Sequence, residues 1–291
     1  MKCNNCPRRC NVDRRYHRGF CQLPNKIRLA LASIHRGEEP EISGTNGSGT
    51  IFFSGCNLRC VYCQNYDISN ENFGTNVSVK RLSEIFKELE AKGVHNINLV
   101  TPTPYADKII QALKIYRPQI PIVYNTSGYE SVEIIKKLRK YVDIYLTDLK
   151  YCSPELSEKY SHCRDYFDIT TQAITEMRKN QPKNIMHNGL LKKGVIIRHL
   201  VLPGCTNDSI KILDWIHKNC PDTTISIMGQ FTPYYKCKNY PEINRKLKPI
   251  EYKRVINYAS NLGLDGYIQD LSSATTEEIP KFNLQGIKKS E

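Results

Sequence analysis

Apolar and polar positions along the chain fall into two alternating periods. Thr50-Ile51-Phe52-Phe53-Ser54-Gly55 is an apolar run of strand length closed by glycine, which predicts a buried strand. From Val79 to Gly93 the spacing of Leu82, Ile85, Phe86 and Leu89 is helical, and Gly93 ends it. After that, strand-like stretches at Asn96 to Thr101, Ile120 to Tyr124, Val142 to Leu149, Val195 to Leu202 and Thr224 to Met228 take turns with helical ones. The helical stretches are Tyr105 to Tyr116, Tyr129 to Lys140, a mixed segment from Pro154 to Lys179, Asp208 to Lys218, and Pro249 to Leu262. Arg28 to His35 suits a strand or a short helix. Six strands alternating with helices imply parallel strands joined by right-handed crossovers, closed or nearly closed into a barrel. In that architecture the loops after the strands share one face and build the site.

This rule selects the polar residues to weigh. Cys56 to Cys63 follow the first strand, and Thr101-Pro102-Thr103-Pro104 the second. Asn125-Thr126-Ser127-Gly128, Asp148-Leu149-Lys150, Arg198-His199 and Gln230 mark the others. The structural alternatives are turn residues fixed by prolines for Thr101 and Thr103, a surface ion pair for Asp148 and Lys150, and an interior salt bridge for Arg198.

Composition changes the picture at one end. The 291 residues supply ample apolar material for one large α/β domain or two smaller ones, and the 12 cysteines gather toward the N-terminus instead of spreading as staples. No charged-then-apolar leader opens the sequence and no apolar stretch is long enough to cross a bilayer, so a cytoplasmic protein with reduced thiols is expected. In such a compartment, grouped cysteines bind metal more often than they pair. The formal net charge is +13, and Met1 to Arg36 holds nine Lys or Arg against the single Asp13. The plain reading is a solvated face. An acidic protein partner, or nucleic acid, is the functional one, although the aromatic residues that would stack bases are not interleaved.

The chemistry centres on Cys56-Asn57-Leu58-Arg59-Cys60-Val61-Tyr62-Cys63. Thiolates are soft ligands for iron–sulfur clusters or zinc. Three of them leave one iron of a cubane cluster open, whereas zinc would want a fourth protein ligand that no nearby His or Cys supplies. Cys3, Cys6, Cys10 and Cys21 form a second group in a segment with too few apolar residues to fold unaided. Ligation would supply the missing folding energy, with zinc ahead of a second iron–sulfur cluster, and free thiols in a basic arm as the alternative. Gly44 to Gly49 is glycine-dense but lacks the Lys-Ser/Thr pair and following helix of a phosphate cradle, so a loop is expected. Cys152, Cys163, Cys205, Cys220 and Cys237 form no spaced set, although Cys205 and Cys237 follow strand ends. His187, His199 and His217 show no metal spacing.

Cys-x3-Cys-x2-Cys after a strand, with Tyr62 before the last cysteine and the alternation beyond, resembles the radical S-adenosylmethionine (radical SAM) superfamily. Within it the chain is most similar to the pyruvate formate-lyase activating enzyme group, in the branch called PflX-like. The matching stretches are Glu38-Glu39-Pro40 with Ile42-Ser43-Gly44, Gly47 through Ser69, Asn98 to Thr103, Asp148-Leu149-Lys150, Arg198 to Gly204, Tyr240 to Arg245, and the leading Cys-x2-Cys-Pro-Arg.

The resemblance implies a partial (β/α)6 TIM-like barrel over 37–291, with a C-terminal helix and tail and a cysteine-rich metal-binding extension over 1–36. It implies a 4Fe-4S cluster on Cys56, Cys60 and Cys63, with S-adenosylmethionine on the open iron. Reductive cleavage of that cofactor would yield a 5′-deoxyadenosyl radical that takes a hydrogen atom from a protein or peptide substrate. Tyr62 would lie beside the adenine, Asp148 and Lys150 near the methionyl end, and Arg198 as a carboxylate clamp, whose paired donors suit that task. Asn125 and Thr126, with Asp148, match a place where relatives hold a monovalent cation. Three departures accompany these matches. Asn125 stands where an Asp is usual, and Thr101-Pro102-Thr103-Pro104 replaces Gly-Gly-Glu-Pro, leaving backbone carbonyls to receive the cofactor's amino group. Gln230 replaces a site histidine. Lys150, Arg198 and Gln230 are the expected catalytic set. A flavodoxin or ferredoxin would supply electrons to a monomer that has no membrane partner. The other functions kept open are modification of a small molecule or RNA, an iron–sulfur electron carrier, and a zinc-stabilised binding module.

Overall fold

The computed structural model describes residues 2–273 and 280–288; Met1, 274–279 and 289–291 of the two expected domain ranges lie outside the described residues. Among the described residues, ten strands form one mixed sheet. They are β1 (Ile27–His35), β2 (Ser48–Phe53), β3 (Thr75–Val77), β4 (Ile97–Val100), β5 (Ile122–Thr126), β6 (Ile144–Asp148), β7 (Ile185–His187), β8 (Leu190–Leu200), β9 (Thr224–Met228) and β10 (Gly266–Ile268). The helices are α1 (Pro40–Ser43), α2 (Tyr66–Ser69), α3 (Val79–Glu90), α4 (Ala106–Ile115), α5 (Val132–Leu138), α6 (Pro154–Ser161), α7 (Tyr166–Asn180), α8 (Thr206–Asn219) and α9 (Pro249–Asn261).

The strand order is β10-β9-β8-β6-β5-β4-β2-β1-β3. From β2 to β10 every neighbouring pair is parallel, while β1 pairs antiparallel with both β2 and β3. The outermost strands β10 and β3 are not paired with each other, so the curled sheet is a partial barrel of the α/β class. The six expected strands are β2, β4, β5, β6, β8 and β9. Because β1 pairs with β2, Ile27–His35 of the 1–36 range belong to the main sheet.

Alternation along each strand separates two cores. Ile51, Phe53, Ile97, Leu99, Tyr124, Tyr145, Val195, Ile197, Ile225 and Ile227 face the helices. On the other side, α1 inserts Ile42 among Val123, Ile144, Leu146, Leu191 and Ile196, forming the floor of the lumen. Helix α3 shows why the local pattern works: Ser78 caps it by accepting from Arg81 N at 3.0 Å, and Leu82, Ile85, Phe86 and Leu89 are its buried stripe. Residues 280–288 run along β1 beyond its pairing with β3, where Leu284 N donates to Ala30 O (3.0 Å) and Ala32 N to Gln285 O (2.9 Å). Phe282 meets Phe52 edge-on there, ring centroids 5.4 Å apart.

Candidate functional site

The chain leaves β2 through Gly55, whose φ of 77° is open to glycine. A Cβ there would stand 2.4 Å from Leu23, so the same residue also admits the N-terminal segment. Beyond it Cys56 and Cys60 are buried and Cys63 is nearly so. Each sulfur receives a hydrogen bond: Leu58 N to Cys56 Sγ (3.3 Å), Ser161 Oγ to Cys60 Sγ (2.9 Å) and Ser69 Oγ to Cys63 Sγ (3.2 Å). Burial pushes the Cys63 thiol up to about 11 and raises Cys60 further, while the Lys150 ammonium near Cys60 opposes the rise. The loop is pinned from its flanks, by Val61 N to Tyr160 O (2.9 Å) and Lys236 N to Val61 O (3.0 Å). Tyr62 packs edge-on against Tyr160 and Phe231, and its hydroxyl meets that of Tyr151 at 2.6 Å.

A polar layer lines the lumen beside this loop. Arg198, inward from β8, donates Nε to Asp148 Oδ1 (3.2 Å), one terminal nitrogen to Glu38 Oε2 (3.1 Å) and the other to Asn125 Oδ1 (2.6 Å). Lys150 Nζ sits 2.7 Å from Asp148 Oδ2. Burial disfavours the Asp148 charge, but Lys150 and Arg198 outweigh it and hold the carboxyl below its usual range. Burial likewise works against the Lys150 ammonium, and Asp148 and Cys60 more than restore it. Arg198, Asp148, Lys150 and Asn125 are thus brought together, with Arg198 already sharing its guanidinium among three chain acceptors.

Thr126 points the other way. Its hydroxyl and that of Thr103 each donate to Glu130 Oε1 at 2.5 Å on the helix side of the sheet, so strand alternation separates Thr126 from Asn125 and Asp148. Thr101 leaves β4 with φ 59° and donates N–H to Asn125 O at 3.0 Å. Gln230 stands past the end of β9, accepting from Gln269 Nε2 at 3.2 Å. His199 is structural: burial lowers it to about 4, and its ring bonds Leu149 O (2.7 Å) and Ser209 Oγ (2.9 Å). The Gly44 to Gly49 loop lies at the start of β2, at the opposite end from Cys56.

The N-terminal segment folds over the cysteine loop. Cys10 and Cys21 lie near enough to Cys6 to disfavour its thiolate, and Cys3 and Cys10 act on Cys21 in the same sense. Burial pushes Cys6 up to about 12, against a hydrogen bond from the Arg8 backbone, and Cys10 Sγ accepts from Phe20 N at 3.3 Å. Among the described residues no three His, Cys, Asp or Glu side chains converge closely enough to share one metal ion. A 4Fe-4S cluster places its thiolates on separate irons and does not require that convergence. Arg14, buried, donates to Pro104 O at 2.9 Å, and Arg8 reaches the cysteine loop itself. Arg8, Ser161, Ser69, Glu130, Glu38 and Glu39 are site or supporting residues that strand-end reasoning does not select. Among the described residues no helix is long and apolar enough to cross a membrane.

The family model described as the radical SAM superfamily matches residues 50–216. An uncharacterized protein of Methanocaldococcus jannaschii is 36% identical over 278 residues, covering 90% of this chain and 75% of that protein. Among solved structures, Streptococcus suis SuiB bound to the precursor peptide SuiA aligns with TM-score 0.51 at 14% identity, covering 75% of this chain and 48% of that one. SuiB bound to S-adenosylmethionine aligns with TM-score 0.50 at 15% identity, covering 79% and 48%. The chain spans about half the length of SuiB, and the likeness is one of fold.

Proposed function

The chain belongs to the radical SAM superfamily, a family that implies a 4Fe-4S cluster and S-adenosylmethionine, and on that premise we propose that Cys56, Cys60 and Cys63 are the cluster ligands. The observation that carries the assignment is the Cys-x3-Cys-x2-Cys loop at the C-terminal end of β2, with a hydrogen-bond donor on every sulfur. When bound, the cluster and its ligand supply one-electron cleavage to a 5′-deoxyadenosyl radical and hydrogen-atom abstraction.

The chain's own part is to orient and to exclude water. Hydroxyl and amide donors on the sulfurs, with Lys150 beside Cys60, stabilise thiolate charge in a buried loop and thereby bear on its reduction potential. Asp148 and Lys150 form a paired charge at the strand end nearest the cysteines, suited to a zwitterionic amino acid. Gln230 offers a neutral polar group on the substrate side, while Tyr62, Thr101, Asn125 and Arg198 shape the wall between. The paired bonding of Arg198 supports a positioning role, holding Asp148 and Asn125 in place.

The finer reading is an enzyme similar to activating enzymes, taking its hydrogen atom from a protein or peptide and its electrons from a flavodoxin or ferredoxin. Cys3, Cys6, Cys10 and Cys21 hold a metal centre in the extension, zinc ahead of a second cluster. Anaerobic reconstitution with iron and sulfide, followed by dithionite and S-adenosylmethionine, tests the core: slow 5′-deoxyadenosine formation is expected, and its loss in Cys60→Ala. Undiminished product in that variant would overturn the ligand assignment.

A further inference from the structure

Glu38 and Glu39 have no part in the function above. They precede α1 and rise from the lumen floor beneath Arg198. Glu38 Oε1 accepts from Asn98 Nδ2 (2.8 Å) and Asn125 Nδ2 (3.2 Å), and its Oε2 pairs with Arg198. Glu39 is nine-tenths buried, faces Arg198, Glu38 and Ser226, and its Oε2 has no hydrogen-bond partner. Asn98 is fully buried, and its Oδ1, on the amide that contacts Glu38, also lacks a donor. Arg198 and Asp148, both inward-facing, keep 16% and 13% side-chain exposure, so the lumen is open to solvent down to their layer.

The balance of this layer is uneven. Three carboxylates (Glu38, Glu39, Asp148) meet two cations (Arg198, Lys150), and two buried acceptors, Glu39 Oε2 and Asn98 Oδ1, stand without donors on residues that each adjoin Glu38. Leaving a carboxylate oxygen unpaired in an apolar interior is costly, and native proteins seldom do so without a use. Burial pushes the Glu39 carboxyl above its ordinary range, and the Arg198 guanidinium opposes the rise without cancelling it. A neutral hydroxyl would satisfy an acceptor but not the charge, and a carboxylate would be repelled. An ammonium brings one positive charge and three donors with no acceptor.

We infer that the lumen receives its substrate by a cationic nitrogen, an alkylammonium or guanidinium, held by Glu39 together with Glu38 and the carbonyl of Asn98. Naming the occupant a substrate rests on the radical SAM reading; the lumen's preference for a cation does not.

The test is calorimetric titration of the anaerobically reconstituted full chain with n-butylammonium, n-butanol and butyrate, and with an N-acetylated, C-amidated Gly-Lys-Gly peptide. Saturable binding of butylammonium or the lysine peptide is expected, with none of the alcohol or the acid. A tenfold or greater weakening is expected in Glu39→Gln. Binding of butylammonium alone identifies a small amine as the source, and binding of the peptide identifies a lysine side chain. Equal behaviour of the three butyl probes in the unaltered chain overturns the inference without any variant, as does undiminished binding in a folded Glu39→Gln. Displacement of the amine by S-adenosylmethionine would assign the acidic pair to the cofactor and overturn it too. A chain that binds the amine but forms no 5′-deoxyadenosine keeps the site and loses the radical SAM reading; the opposite result removes the site alone.

Discussion

Arg8 donates from Nε to the main-chain carbonyl of Asn57 at 2.8 Å, fastening the N-terminal cysteine segment to the loop between Cys56 and Cys60. The same guanidinium reaches Ser161 O at 3.1 Å and lies over the Phe20 ring, 3.9 Å from its centroid. Charged donors to otherwise unpaired carbonyls are worth roughly 1.5–3 kcal/mol each. Arg8→Ala is therefore expected to cost about 2–4 kcal/mol in urea unfolding and to speed iron loss from the loaded protein. Arg8→Lys should recover only part of this, since one ammonium cannot span both carbonyls or stack on Phe20. Unchanged iron retention in Arg8→Ala would show that the extension does not brace the loop.

Arg198→Ala should be among the most damaging single changes to the barrel. It strips Glu38, Asp148 and Asn125 of a shared partner inside the lumen, and breaking a buried pair in this way costs about 3–5 kcal/mol. Lys150 keeps its own contact with Asp148, which limits the damage there. A loss under about 1 kcal/mol in denaturant unfolding would mean that Arg198 is not a keystone of this layer.

Glu130 supplies a pH dependence. Burial raises its carboxyl from 4.5 to about 7, against the hydrogen bonds from Thr103 and Thr126. A folded-state pKa above the unfolded one means that the folded chain holds the proton more tightly. Stability from this group is then complete below about pH 4.5 and lost as pH rises through 7. The shift corresponds to roughly 3 kcal/mol. Glu130→Gln keeps an acceptor for both hydroxyls, so its unfolding free energy should vary less between pH 5 and 8 than that of the parent. Parallel curves for the two proteins would refute this.

The extension should carry metal of its own. Replacing Cys3 and Cys6 together by alanine is expected to lower metal content after reconstitution, with the Cys56, Cys60 and Cys63 cluster still present spectroscopically. Metal analysis that finds iron and zinc unchanged would leave the four thiols without a ligand role.

Much of this was legible beforehand for a physical reason. Strands β2, β4, β5 and β6 are buried on both faces, so their apolar runs are nearly unbroken and easily found. Strand β8 begins at Leu190, earlier than its apolar core suggests, because Lys192, Lys193 and Gly194 interrupt the run while it pairs with β7. Asn188-Gly189, both at positive φ, is the turn that signals this hairpin. Strands β3 and β10 have three residues each, too few for a period to register. At the site, strand-end position singled out Asp148, Lys150 and Arg198, whereas the opposite faces of Asn125 and Thr126 follow only from applying the two-residue period within β5. Arg8 was submerged in a basic segment whose total charge says nothing about which side chain finds a carbonyl. Glu38 and Glu39 lie ahead of a one-turn helix, and only the assembled sheet brings Arg198 to them.

Electron paramagnetic resonance of the reduced, cluster-loaded chain, recorded with and without S-adenosylmethionine, tests the open-iron assignment most directly. Addition of the ligand is expected to shift the g-values of the reduced signal, and Cys60→Ala is expected to show no such response. A spectrum identical in both conditions, from a fully loaded cluster, would contradict binding at an iron left free by Cys56, Cys60 and Cys63.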